Sequence, residues 1–507
     1  MRRVWAGLAG NPALPAAVLE WLVGLEDPDL GLELAERTDL TEQQVEALAE
    51  RGIAEAGQLV AAGRIPAERV DPRRRPFAAL ALLRAGRAPE PDEWARLLLE
   101  RPDLWRELAS TERLPAAAAR HLLAAADQDV LIELAEAQPD PGVLVALAAH
   151  SSWHVRRAVG WNPAAPPDVL ADLLNNRPAL ESCEVCERHP VPWTHPPDCP
   201  DPACDLPAGA ACDGSHQYAR HAIVEGALAH PAAPAADALR QLDAPSAFLR
   251  ARLAERTDLD PDAYAQLADE KQLFVLTALA ENPAIGEPLI RRLATIAHES
   301  VRRAVVLNPA VPLDLLDRAR DGVVLKLGTA LPPRIAAADP DETERLAASP
   351  DPEIRRLLAL RRDLPPHVRD RLADDPAARV ANAIAPHPGL DTRQLTSMHR
   401  RHGRHVGPGI ATNPNAPATL LRALTTGDHN VATLRALARH PAADGPTLTA
   451  CLRDRRAREQ AATHPALPLD HLRTLLADPA TTHHAAANPS LPPADLLRLL
   501  PPGALPD

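Results

Sequence analysis

The chain has 507 residues and a formal net charge of −13, with 46% of its residues apolar and 2% aromatic. An acid excess of this size argues against general nucleic-acid binding, which needs many cations to neutralise phosphates, and so few rings leave little for bases or sugars to stack on. No apolar run of about 18 residues or more occurs, so no membrane span is expected, and 55 prolines exclude a conventional helical bundle unless they fall at element boundaries.

At the start, MRRVWAGLAGNPALP couples two arginines to a brief apolar stretch, as a signal peptide would. Asn11, however, already stands in register with a unit of about 25 residues written along the chain, so this segment reads as the first repeat and the protein as cytoplasmic. With the Asn of an NP dipeptide as a ruler, and His, Arg, Thr, Gln or Ala allowed in its place, marks fall at Asn11, Arg37, Ala62, Ala85, Thr111, Gln138 and Asn162. They continue at His230, Arg256, Asn282 and Asn308, then at Arg361, His387, Asn413, His440, His464 and Asn488. Steps are 23 to 27 residues, apart from a double step between Asn308 and Arg361 and a 68-residue step between Asn162 and His230. Self-similarity at a fixed period is the signature of stacked repeats, and it overrides the several separate domains that length alone suggests.

Each unit reads as two short helices. Before the ruler position apolar residues sit four apart, as in Val155/Val159, Val301/Val305 and Val380/Ile384, which places them on one helical face. The following Pro stops that helix, and the Asn or His at the stop is expected to bond a stray backbone group rather than a ligand. A second proline three residues on, as at Pro166, Pro312 and Pro417, starts the next helix, whose leucines recur three apart, as in Leu170/Leu173 and Leu421/Leu424. Helices this short are marginal alone, so each unit must bury its stripe against its neighbours.

The string V-R-x-x-V-A-x-N-P-x-x-P-x-x-L-L-x-x-L, clearest at Val155 to Leu174, Val301 to Ala319 and His440 to Leu500, resembles the variant leucine-rich repeat of bacteria. The resemblance implies an all-α fold, a right-handed superhelical solenoid of alternating α and 3-10 helices. It weakens around Ala62 to Ala85 and Leu331 to Ser349, where the copies lack NP. The expected organisation is N-terminal repeats over 1–177, a cysteine-rich insertion over 178–217, and C-terminal repeats over 218–507.

The insertion holds five of the six cysteines, Cys183, Cys186, Cys199, Cys204 and Cys212, with His189, His195 and His216 among them. So much proline and so few large apolar residues cannot build a core, and metal coordination is the natural way to order the segment. Disulfides are disfavoured by the odd count and the expected compartment. Spacing favours Zn2+, whereas the resemblance favours a 4Fe-4S cluster, because some variant leucine-rich repeat proteins carry such a cysteine segment beside their repeats. Cys183, Cys186, Cys199 and Cys204 are the leading ligands. Cys212 to His216 spells CDGSH, similar to the ligand loop of CDGSH-type iron–sulfur proteins, which keeps those two residues as alternatives. The sixth cysteine, Cys451, reads as a small core residue.

Arginines recur just before the ruler at Arg156, Arg157, Arg302, Arg303, Arg355 and Arg356, where they form either a basic ridge or a helix face offset by neighbouring acids. No P-loop, HExxH, G-x-S-x-G or dinucleotide fingerprint occurs, so no enzyme is expected. The leading expectation is a scaffold gripping a protein partner, with a metal segment that is structural or redox-responsive. An iron–sulfur redox protein and a nucleic-acid-binding solenoid are the alternatives.

Overall fold

Proline placement writes the element boundaries. A computed structural model of the chain describes residues 2–25, 27–179, 184–189, 193–212, 215–319, 331–427 and 430–505. The fold is all-α, about 60% helix against 1% strand. Among the described residues the only strands are Trp193–Thr194 and Ala211–Cys212, and no helix is long and apolar enough to cross a membrane. The chain divides into two compact units, one of Ile65–Leu325 and one of Met1–Arg64 with Lys326–Asp507.

One repeat illustrates the logic. Leu273–Glu281 is helical, with Val275 and Leu279 fully buried, and it ends at Asn282 before Pro283. Glu287–Ala294 follows, with a proline in its first turn and Ile290 and Leu293 buried. The first helix packs on its counterparts in the flanking repeats, Ala247–Ala254 and Glu299–Leu307. Where the family resemblance implies 3-10 geometry for alternate helices, second helices such as Pro167–Leu174 and Glu287–Ala294 are α. Pro167–Leu174 buries Val169, Leu170, Leu173 and Leu174, a stripe of 3.6-residue period that a 3-10 helix would not keep on one face. Described 3-10 segments are short: Ala67–Arg69, Pro102–Leu104, Leu239–Gln241 and Gly403–Val406.

The NP dipeptide has a physical explanation. At the end of the first helix the carbonyl of Ala280 would accept from the N–H of residue 283 or 284. Pro283 has none, and the N–H of Ala284 is taken by Asn282 Oδ1 at 2.8 Å. The carbonyl is answered by the next repeat, where Asn308 Nδ2 donates to Ala280 O and to Asn282 O, both at 2.8 Å. The same pair of bonds joins Asn282 to Ala254 and Arg256, Asn413 to Ala385 and His387, and Asn488 to Ala462 and His464. Asn162 reaches Ala135 and Gln138 likewise. Each of these asparagines is at most 2% exposed, so the bonds form away from water.

Substitutes at the ruler follow from the same requirement. Histidine offers one acceptor and one donor: His440 Nδ1 accepts from Ala442 N at 3.1 Å while Nε2 faces Asn413 O at 2.9 Å. That geometry calls for the neutral ring with its proton on Nε2. Arginine has donors but no acceptor, and a carboxylate two residues later completes it. Arg37 donates to Ala9 O and Asn11 O and is held by Asp39; Arg256 and Arg361 repeat this with Asp258 and Asp363. In the copy marked at Ala62 the donor is instead Arg64, bonded to Thr38 O and Leu40 O.

Within the unit made of Met1–Arg64 and Lys326–Asp507, the first and last repeats are joined by the same device. The helix Arg2–Ala9 packs on Thr482–Ala486, and Asn11 Nδ2 donates to Ala486 O at 2.8 Å and Asn488 O at 2.9 Å. Gly7 is the point of closest approach, since a Cβ there would lie 2.0 Å from His483 O.

Candidate metal centre and aromatic ridge

The cysteine segment is inserted without breaking the stack around it. Ser215–Ala229, which leads into His230, packs on Trp153–Trp161, the first helix of the repeat that precedes the insertion. The approach depends on glycine: a Cβ on Gly160 would sit 2.8 Å from Ala227 N, and one on Gly226 would sit 2.9 Å from Trp161 Nε1.

Inside the insertion, the helix Glu184–Arg188 leads to Trp193–Thr194, paired antiparallel with Ala211–Cys212 so that Trp193 faces Cys212. The hairpin is extended by His195 N to Ala210 O and Gly209 N to His195 O, at 2.7 and 2.9 Å. The apolar core is minimal: Val185, Cys186 and Cys212, with Trp193, Leu206 and Ala210 against them. So little buried area cannot order such a segment by itself.

Two groups of donors form. Cys186, Cys212 and His216 bring their ligand atoms within 4.8 Å of one another, and so do His195, Cys199 and Cys204. Either group could hold a metal ion. In the second, Cys204 Sγ lies 3.2 Å from His195 Nε2, and His195 is 5% exposed with its Nδ1 lacking a hydrogen-bond partner among the described residues. Of the four leading ligands from the sequence, Cys186 is thus separated from Cys199 and Cys204, and Cys183 lies outside the described residues. The alternatives Cys212 and His216 join Cys186. His189 joins neither group and stacks on Trp193, ring centroids 3.7 Å apart. Cys186, Cys199 and Cys204 are free thiols. Cys451 is fully buried in its repeat, and burial pushes its thiol up to about 12.

A 4Fe-4S cluster takes four thiolates. Each described group offers two thiolates and an imidazole, the mixed soft set typical of a tetrahedral ion such as zinc.

The six ridge arginines are placed unequally. Arg355 donates to Asp375 and to Ser349 O, and Arg356 pairs with Glu353. Arg250 and Arg435, at similar offsets, pair with Glu270 and Asp454. Arg250, Arg355 and Arg435 thus fasten one repeat to an acid about 20 residues on, and Arg356 pairs within its own helix, so all four are offset by neighbouring carboxylates. Arg302 is half-buried, while Arg157 and Arg303 are exposed. Arg156 is 2% exposed, and its Nε and Nη2 have no hydrogen-bond partner among the described residues. Burial lowers its pKa. The position that holds Asp375 opposite Arg355 is Asn176 opposite Arg156, so the equivalent carboxylate is missing there.

Sequence reasoning missed an aromatic ridge. Trp153 meets Tyr218 edge-on at 5.6 Å, and Phe248 stacks on Phe274 at 5.0 Å. Between these pairs His221 Nε2 lies 2.9 Å from Ser246 Oγ. Tyr218 and Phe248 are 64% and 65% exposed, and Leu273 and Phe274 also face solvent. These residues lie on four first helices packed in succession, beginning beside the insertion. The available signal was offset: Phe248 and Phe274 each stand eight residues before a ruler position. Phe77 holds the same offset before Ala85, whereas Asp29, Glu353, Arg379, His405 and Arg456 hold it in other copies.

No protein-family model matches the chain, and no curated protein matches it either.

Proposed function

We propose that the protein is a non-enzymatic, cytoplasmic helical-repeat scaffold, a right-handed solenoid of the variant leucine-rich repeat kind. It docks a protein partner on the aromatic ridge, beside a Cys/His segment ordered by a metal ion. The observation that carries this is the ridge itself. In a chain with seven Trp, two Tyr and three Phe, four of these rings meet in two pairs on successive first helices of one unit, with Tyr218, Phe248 and Phe274 facing solvent. Contiguous exposed apolar surface of this kind marks an interaction site. The mixed thiolate and imidazole donors support zinc over a 4Fe-4S cluster, with Cys183 the expected additional thiolate from its C-x2-C spacing to Cys186. In this reading the metal is structural and shapes the surface next to Trp153 and Tyr218.

A photo-crosslinking amino acid at position 274, with the same probe at position 379 as a control, tests the docking face in the source cell. A discrete adduct from 274, absent from 379 and lost when Tyr218 and Phe248 are both changed to Ser, is the expected result. Equal labelling from both positions would remove the ridge as a docking face.

A further inference from the structure

We infer that the cysteine segment holds two metal ions at two separate mononuclear sites, one on Cys186, Cys212 and His216 and the other on His195, Cys199 and Cys204. This rests on the metal reading above and goes beyond it in number and in ligand assignment.

An ion about 2.3 Å from each sulfur in a tetrahedron spaces its thiolates about 3.8 Å apart, with an imidazole nitrogen slightly closer. Each donor set, within 4.8 Å throughout, is already near that spacing. The irons of a cluster each take their own thiolate, which spreads the ligands across the cluster instead. The two sets occupy different parts of the segment. Cys186, Cys212 and His216 come from the helix Glu184–Arg188, the second strand and the start of the helix Ser215–Ala229. His195, Cys199 and Cys204 all come from the connection between the strands. The Trp193 indole packs against Cys186 and Cys212 and has its ring centroid 5.2 Å from His195, so it borders both sets.

Burial points to a ligand independently. His195 is 95% removed from solvent, yet its Nδ1 has no partner among the described residues and its Nε2 faces only a thiol sulfur. A thiol is a weak partner for a buried imidazole nitrogen, and coordination through Nε2 of an ion shared with Cys204 and Cys199 replaces that contact with a metal bond. Each set supplies three protein donors, which leaves a position on each ion for a further ligand or water.

Metal content settles the number. The full-length protein, purified and reloaded with Zn2+, is analysed by inductively coupled plasma mass spectrometry, alongside Cys186→Ser/Cys212→Ser and Cys199→Ser/Cys204→Ser. Two zinc ions per chain are expected in the wild type and one in each double variant. With Co2+ in place of zinc, each variant should keep part of the thiolate-to-cobalt absorbance, and the two parts should sum to the wild-type value. One ion per wild-type chain, lost in both variants, would mean a single shared site and overturn the inference while leaving the metal reading intact. No bound zinc, or iron with sulfide instead, would overturn both. Wild-type stoichiometry decides between these even if a variant misfolds.

Discussion

Replacing Asn413 by Ala removes one complete rung between repeats. The side chain is fully buried, donates to Ala385 O at 2.6 Å and His387 O at 2.9 Å, and accepts from Asn415 N at 2.8 Å. His387 O keeps a second partner in Leu390 N, so its loss is one ordinary bond. Ala385 O does not fare as well, because Pro388 has no N–H and Gly389 N is committed to His387 Nδ1. An orphaned buried carbonyl costs about 1–3 kcal/mol and each of the other two bonds about 1 kcal/mol, which sums to about 3–5 kcal/mol. Asn413→His, which keeps one donor and the acceptor as His440 does, should cost about 1–2 kcal/mol. Stacked repeats lose stability locally, so the assay is native-state hydrogen exchange read by peptide. Protection should fall over 378–424 in Asn413→Ala and hold over 247–294. A loss below about 0.5 kcal/mol, or an equal loss in both regions, would refute the claim that these side chains answer carbonyls orphaned by proline.

Three further predictions follow from the same contacts. Burial holds His387 and His464 below the ordinary histidine value of 6.5, and both rings accept backbone N–H bonds that protonation would break. Protons therefore bind the unfolded chain first, so the melting temperature should fall as pH drops through about 6.5, well before the stabilisation from Glu342, held at about 2 chiefly by Arg334, starts to erode below its ordinary 4.5; a rise between pH 7 and 5.5 would contradict this. Arg156→Met removes a buried charge with no carboxylate partner among the described residues and should be neutral or stabilising by about 1 kcal/mol, whereas Arg355→Met strands the 5%-exposed Asp375 and should cost about 3 kcal/mol in chemical denaturation; the reverse order would be incompatible with the pairing described. Gly160→Ala pushes a methyl against Ala227 N and should cost about 1–3 kcal/mol, with exchange rising first in the helices Trp153–Trp161 and Ser215–Ala229; wild-type protection there would show that the two helices do not need the close approach.

The period and helix boundaries were legible in the sequence because proline acts locally: Pro283 ends one helix whatever surrounds it. The partner of Asn282 was not, because the accepting carbonyls of Ala254 and Arg256 belong to the preceding repeat. The Arg-x-Asp pairs at Arg37/Asp39, Arg256/Asp258 and Arg361/Asp363 were visible but had no meaning until arginine's lack of an acceptor was set against what Asn provides. Cysteine spacing set Cys186 beside Cys199 and Cys204; in the fold Cys186 groups with Cys212 and His216, a proximity that depends on the strand pairing of Trp193 with Cys212. Arginine recurrence suggested a ridge because the answering acids, Glu270 and Asp375, lie 20 residues on. Total composition hid the aromatic ridge, which depends on where four rings fall and not on how few rings there are.

Hydrogen exchange across the chain, with and without a zinc chelator, tests most directly whether repeats that stand by stacking carry a segment that stands by metal. Chelation should abolish protection over 184–216 and leave the repeats on either side, including 116–174 and 247–308, as protected as before. Loss of protection throughout, or no change within 184–216, would contradict that division of labour.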